Sequence, residues 1–326
     1  MRQPSLTDGF EKYRKKTRKE QFLDEMDVII PWSGLVNAIE PFYPKPEGAG
    51  RRPVGIERML RIYFLQHWFT LSDPGAEEAL YDSRAMRCFA GIDLGNEPVP
   101  DETTICKFRH LMERHNLGDQ LFHLVNDYLQ ENGLKVGRGT IVDATIINAP
   151  SSTKNRDNAR DPDMHSTRKG NQWYFGMKAH IGVDSKSKLI HSVTATAANV
   201  HDSVILEDLL HGDETRVWGD SAYTGKKDVI AEVAPKAKDF THKKGCKNRP
   251  LSDAEKSKNR NKSKVRAKVE HAFGVMKRRF GFTKVRYRGL AKNAHHLFVS
   301  CALVNLVMAK KKMLKQRLKP LQANCV

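Results

Sequence analysis

Apolar positions recur at helical spacing through the first third of the chain. Ile56-Glu-Arg-Met-Leu60-Arg-Ile-Tyr-Phe-Leu65-Gln-His-Trp-Phe is a long amphipathic stretch opened by Pro53-Val-Gly55, and it predicts a helix. Asp101-Glu-Thr-Thr-Ile105-Cys-Lys-Phe-Arg-His110 follows Pro98-Val-Pro100. Its leading acid and threonines suit a helix start, and they bring Lys107, Arg109, His110 and Arg114 near one another along the axis. Leu121 to Leu129 is a further apolar-periodic helix closed by Asn132-Gly133. Residues 1–136 therefore read as one helical region.

The pattern changes at Gly137. Thr140-Ile-Val-Asp143-Ala-Thr-Ile-Ile147 is short, β-branched and bounded by Gly139 and Pro150, which predicts a strand. Ser151 to Asn171 is polar and reads as loop. Tyr174 to Val183 and Leu189 to Thr196 flank the turn Asp184-Ser-Lys-Ser-Lys188 and predict a β-hairpin. Helix signals run from His201-Asp202 through Val204, Ile205, Leu209 and Leu210. Arg216-Val-Trp-Gly-Asp220 is a strand ending in Ser221-Ala-Tyr-Thr-Gly225, followed by a helix and a short strand over Ala237 to His242. Lys243 to Lys268 is mostly Lys, Arg, Asn and Ser, with few apolar residues before Val265, and reads as a solvated basic loop, about 243–264. A helix around Glu270, a helix from Leu297 to Ala309 and a basic tail from Lys310 to Lys319 close the chain. Strand, hairpin, helix, strand, helix, strand, helix is the order of a mixed sheet flanked by helices, an α/β fold. Residues 137–326 form this second unit.

Charge narrows the function. Lys and Arg total 56 against 38 Asp and Glu, a formal net charge of +18, which indicates a polyanionic partner. No apolar run reaches the roughly 18–20 residues of a spanning helix, and the N-terminus lacks a signal-peptide pattern. Nucleic acid is preferred to a membrane, and the expected location is the cytoplasm. The five cysteines are scattered without a CxxC pair, so reduced thiols are expected rather than a disulfide framework or zinc knuckle.

Three carboxylates carry the candidate chemistry. Asp143 interrupts an apolar strand, where an ionised carboxylate is costly unless paired or bound to a metal. The alternative is an edge-strand Asp facing solvent. Asp220 ends a strand, where an Asp also serves as a turn former. At about 100° per residue, Arg266, Glu270 and Lys277 share one helical stripe. Val269, Phe273, Met276 and Phe280 form the neighbouring apolar stripe, and Lys264, Lys268, Arg278 and Arg279 point away. Ordinary helix salt bridges are the alternative for that set. Together, two strand carboxylates and a helix-borne Glu in a basic chain make a set of oxygen ligands suited to Mg²⁺ or Mn²⁺. Two such ions serve phosphodiester displacement, with Arg266 and Lys277 on substrate phosphates.

These segments resemble the DDE transposases of bacterial insertion sequences, specifically the insertion sequence five type within the insertion-sequence-four group. The matching segments are Asp101-Glu-Thr-Thr with Phe108-Arg109, Val142-Asp-Ala-Thr145, Lys178-Ala-His-Ile-Gly-Val-Asp184, Asn199-Val-His-Asp202, Gly219-Asp-Ser-Ala-Tyr223 and Arg266-x₃-Glu270-x₆-Lys277. The resemblance implies a ribonuclease-H-like catalytic domain with Asp143, Asp220 and Glu270 as ligands of two Mg²⁺ or Mn²⁺ ions, and Arg266 and Lys277 on phosphate. It also implies that residues 1–136 bind the element's terminal inverted repeats, that the partners are those repeats and target DNA, and that a homodimer or higher assembly acts on DNA. The Asp101–His115 helix, with Lys107 and Arg109, is then a recognition helix, or else a core helix with a basic edge. Ser263 stands where the group's signature often has Tyr, so no role of that tyrosine carries over. The competing functions are a purely hydrolytic metal nuclease and a transposon-derived DNA-binding protein without catalysis. His180, His191 and His201 match no zinc spacing and read as structural. Trp173 and Tyr223 read as core residues, with stacking on a displaced base as the alternative.

Overall fold

The computed structural model describes residues 13, 15–45, 52–134, 137–156, 158–246 and 248–323. The sequence has a basic segment from Lys12 to Lys19, of which Lys12 and Arg14 lie outside the described residues, as does Cys325; the other four cysteines are free thiols. The first part is helical, as the apolar spacing predicts. Its elements are α1 (Arg18–Ile29), α2 (Trp32–Ile39), α3 (Ile56–Phe69), α4 (Asp73–Asp82), α5 (Arg84–Ala90), α6 (Glu102–Arg114) and α7 (Leu117–Glu131). Asp101 caps α6 by accepting the Thr104 N–H at 2.6 Å.

The sheet is mixed. It comprises β1 (Gly139–Asn148), β2 (His165–Lys169), β3 (Gln172–Asp184), β4 (Ile190–Ala197), β5 (Arg216–Trp218) and β6 (Lys238–Asp239). β3 lies antiparallel to β1 and β4, while β5 is parallel to β1 and β6 parallel to β5. β2 is a departure from the expected loop. Its five polar residues carry no apolar alternation, but β3 runs past β4 and leaves ladder groups at Gln172 to Gly176 that β2 satisfies. The helix expected from His201 is also replaced. Asp202–Val204 and Glu207–Leu209 are separate 3₁₀ turns, which bury Leu206 and Leu209 without a continuous helix.

The basic stretch after Lys243 is not all loop. After α8 (Lys227–Val233) and β6, residues Asp253–Arg266 form α9. Ser252 and Glu255 make a reciprocal capping box at its start. The sequence pattern hides this helix because none of its residues is buried. The chain then turns at Ala267 and Lys268 into α10 (Val269–Gly274), a π-helical segment at Val275–Arg279, and α11 (Leu290–Ala323). α11 starts before the expected Leu297 and continues through the whole of the basic tail.

One hydrophobic cluster joins the helical part to one face of the sheet. It includes Phe22, Phe64 and Phe122 from the helices, Ile141 and Ile181 from the strands, and Phe273 and Leu303 from the C-terminal helices. A second cluster on the opposite face gathers Val142, Leu206, Val217 and Tyr223. Trp173 belongs to neither. It is 67% exposed near the tip of the β2–β3 hairpin, so the expected core placement is corrected, whereas Tyr223 is buried as expected.

Candidate active site

The parallel register of β1 and β5 brings two of the predicted carboxylates to one level. Ile141 stands beside Trp218, so Asp143 and Asp220 each follow two residues further along neighbouring strands. Alternation along β1 puts Asp143 on the Ile141 and Ile147 face, which α10 covers. Asp220 lies just past β5 and accepts the Ala222 N–H at 2.8 Å. Gly219 makes this junction possible: a Cβ there would lie 2.9 Å from the Tyr223 ring and 3.1 Å from Val142. Glu270 is exposed on the second residue of α10.

All three carboxylates line one open cavity of about 780 Å³ with Arg266 and Lys277. Arg266 Nη1 donates to Asp143 Oδ2 at 2.5 Å, and Asp143 Oδ1 accepts the Ala144 N–H at 2.9 Å. Burial pushes the Asp143 carboxyl up to about 6; Arg266 pulls it down, and the like charges of Asp220 and Glu270 push it further up. Lys277 Nζ donates to the Ile146 carbonyl at 2.8 Å, and burial lowers its pKa, with Lys169 adding repulsion. As the side chains stand, no three His, Cys, Asp or Glu residues among the described ones are close enough to enclose an ion.

The uniform helical stripe is only partly right. The turn at Ala267 and the π-helical segment break the 100° progression, yet Arg266, Glu270 and Lys277 still reach the cavity, and Val269, Phe273, Met276 and Phe280 are buried. Arg278, expected to point away, lines the same cavity. Lys268 turns back to donate to the Ser185 carbonyl at 2.7 Å, and Arg279 lies 4.2 Å over the Phe22 ring.

Further cavity residues went unassigned from sequence. Lys178 and Asp202 form an ion pair at 2.8 Å at the rim, and Arg168 and Lys169 reach in from β2. The segment Asn199-Val-His-Asp202 was the available signal for Asp202; β2 had none. His180 is buried and bonded to Thr196 at 2.8 Å, and His191 is bonded to Thr140 at 3.1 Å. His201 caps the turn at Ser203. All three therefore have the structural roles expected of them.

Lys107 and Arg109 stand apart from this cavity. Lys107 is exposed on α6. Arg109 is buried, bonded to Asp73 at 2.7 Å and Glu113 at 3.1 Å, with Tyr287 stacked 4.5 Å away. Its guanidinium is spent on those partners, which corrects its assignment to DNA: α6 is a core helix at this position.

Residues 135–306, more than half of the chain, match the family described as the transposase DDE domain. The chain belongs to the DDE transposases. Residues 11–111 of the transposase match a second family, described as a transposase domain (DUF772). Among solved structures it is similar to a piggyBac transposase synaptic complex with hairpin DNA. The two share 11% identity with a TM-score of 0.45, covering 91% of this chain and 73% of that one, a likeness too low to speak for the fold. The mixed sheet and flanking helices fit the ribonuclease-H-like architecture of a DDE domain. The transposase is thus a DNA-cleaving and strand-transferring enzyme of a family that binds DNA and uses divalent metal ions. Among its described residues, no helix is long and apolar enough to cross a membrane.

Proposed function

We propose that Asp143, Asp220 and Glu270 are the catalytic carboxylates of this transposase and hold two Mg²⁺ or Mn²⁺ ions. The observation that carries the reading is the convergence of a mid-strand Asp, a strand-end Asp and a helix Glu on one cationic cavity. The donor chemistry fits: oxygen ligands alone, and a raised Asp143 carboxyl whose repulsion by Asp220 and Glu270 a cation would relieve. Two ions held there supply Lewis acidity to a phosphodiester displacement.

The chain's own residues do the rest. Arg266 leaves Asp143 for a substrate phosphate, which frees the Oδ2 oxygen of Asp143 while Oδ1 keeps its bond from the Ala144 N–H. Lys277, anchored at Ile146, and Arg278 hold phosphates along the same wall. Asp220 is kept in place by its bond to the Ala222 N–H. Residues 1–136 serve as the region that binds the terminal inverted repeats, with Lys107 on its surface. Because two ends must be processed, the acting species is at least a homodimer on DNA. The element is of the insertion sequence five type.

The test is cleavage and strand transfer on duplexes bearing the repeats that bound the gene, with Mg²⁺ or Mn²⁺. Asp143→Ala, Asp220→Ala and Glu270→Ala should each bind DNA while cutting and joining nothing. Full activity in any of them would remove that residue from the site.

A further inference from the structure

α9 is tied to the protein along one side only, by its capping box, by bonds from Asn259, Lys262 and Ser263 to residues 241–243, and by Val265 against the core. It buries none of its residues, and after Glu255 it carries cations at Lys256, Lys258, Arg260, Lys262, Lys264 and Arg266, with no acid before Glu270. The spacing sets them in two ladders four residues apart, so each pair of neighbours opposes the helix by like-charge repulsion. The ladders differ in what they touch. On one, Lys262 donates to the Thr241 carbonyl at 2.7 Å and Arg266 enters the cavity to meet Asp143. The other, Lys256, Arg260 and Lys264, is exposed along its length. Lys256 meets Asp253, itself 98% exposed; Arg260 and Lys264 have no acidic partner among the described residues.

We propose that this outer ladder is a rail for the phosphate backbone of host duplex, the DNA outside the element, beside the catalytic cavity. The inference rests on the reading of that cavity as the phosphodiester site. Fourteen helical residues span about 21 Å, against about 3.4 Å per base pair, so α9 flanks about six base pairs. An anionic polymer laid there cancels the repulsion that the fold leaves uncompensated. The choice of host DNA follows from the residue types. The outer ladder is Lys and Arg interleaved with Ser and Asn, with no aromatic side chain on the helix. Cations on phosphate position a duplex without reading it. Element ends must be recognised by sequence, and a row of cations on phosphate reads none, so it suits the duplex that continues beyond the element.

The experiment compares wild type with the triple variant Lys256→Gln, Arg260→Gln, Lys264→Gln and with Arg260→Gln alone. Binding is measured in EDTA over a salt series, on a random-sequence duplex and on a terminal-repeat duplex without flank. On random sequence, the triple variant should lose about thirtyfold in affinity at moderate salt, and its salt slope should fall by about three. The single variant should lose about one from that slope. Affinity for the flankless repeat should stay within about threefold, and the melting temperature should hold or rise as like charges are removed. Unchanged binding to random sequence would overturn the rail. An equal loss on the flankless repeat would overturn the assignment to host DNA and give α9 to the element's end. Since no metal is present, the result stands apart from the outcome for the three carboxylate variants.

Discussion

Arg109 and Lys107 are two residues apart on α6 and should behave oppositely. Arg109→Ala leaves the half-buried Asp73 and Glu113 without their cation. A loss of about 3–5 kcal/mol in a denaturant titration is expected. Lys107→Ala should stay within about 0.5 kcal/mol and lower affinity for the terminal repeats; an unchanged affinity would take Lys107 out of the DNA surface. A second set of buried groups contributes to the pH dependence, alongside His180 and His191, which burial also depresses, to about 4 and about 3. His67, His295 and His296 lie between α3 and α11, where His67 and His296 stack at 4.1 Å. Burial depresses all three. His296 and His295, then Arg286, add repulsion on His67, which falls well below its usual value; Arg109 adds it on His295, which falls to about 4; and Arg286, His295 and Arg109 add it on His296, which falls to about 3. The unfolded chain therefore binds protons first. Stability is full above about pH 6.5 and falls as the pH drops toward 4, by about 1.4 kcal/mol per pH unit for each group. His296→Gln should flatten that fall by one group's share, which urea titrations at stepped pH would reveal.

At the scale of elements, junctions matter more than interiors. Gly219 sits where β5 stops and Asp220 begins its turn, and an added methyl meets Tyr223 and Val142. Gly219→Ala is expected to displace Asp220 and cut transposition activity by at least about tenfold, the effect of a misplacement near 1 Å or less, with DNA binding retained. Activity close to wild type would mean that the ring and the valine move aside. The N-terminus of α9 depends on Ser252 and Glu255. Ser252→Ala should cost that helix about 1 kcal/mol, seen as faster amide exchange over residues 253–257. Periodicity located the elements that bury a face, α3, α6, α7 and β1, because burial is what apolar spacing records. It was blind to α9 and β2. β2 is polar throughout and α9 is polar but for Ala254 and Val265, and each is held by a cap or a neighbouring strand more than by a core.

Over the whole molecule, the change from helices to sheet near residue 137 does not divide the core. The cluster that begins at Phe22 includes Ile181, Phe273 and Leu303, and α11 runs beside both α7 and β4. The chain should therefore unfold in a single calorimetric transition. Two resolved transitions would show that the two parts have separate stability.

Composition and motif spacing determined much of this protein by themselves: a basic chain, an α/β unit after a helical one, and carboxylates at 143, 220 and 270 flanked by cations at 266 and 277. Those features are local, since charge, β-branching and period survive in one dimension. Tertiary structure alone decided which of the cations are free. Arg109 looks like a surface basic residue until Asp73, distant in sequence, closes over it. Arg266 is held on Asp143, 123 residues away. Lys178 and Asp202 join the cavity because β3 and the turn after β4 meet there. Partners far apart in sequence set a charged group's availability through burial and pairing, and no spacing rule contains that information.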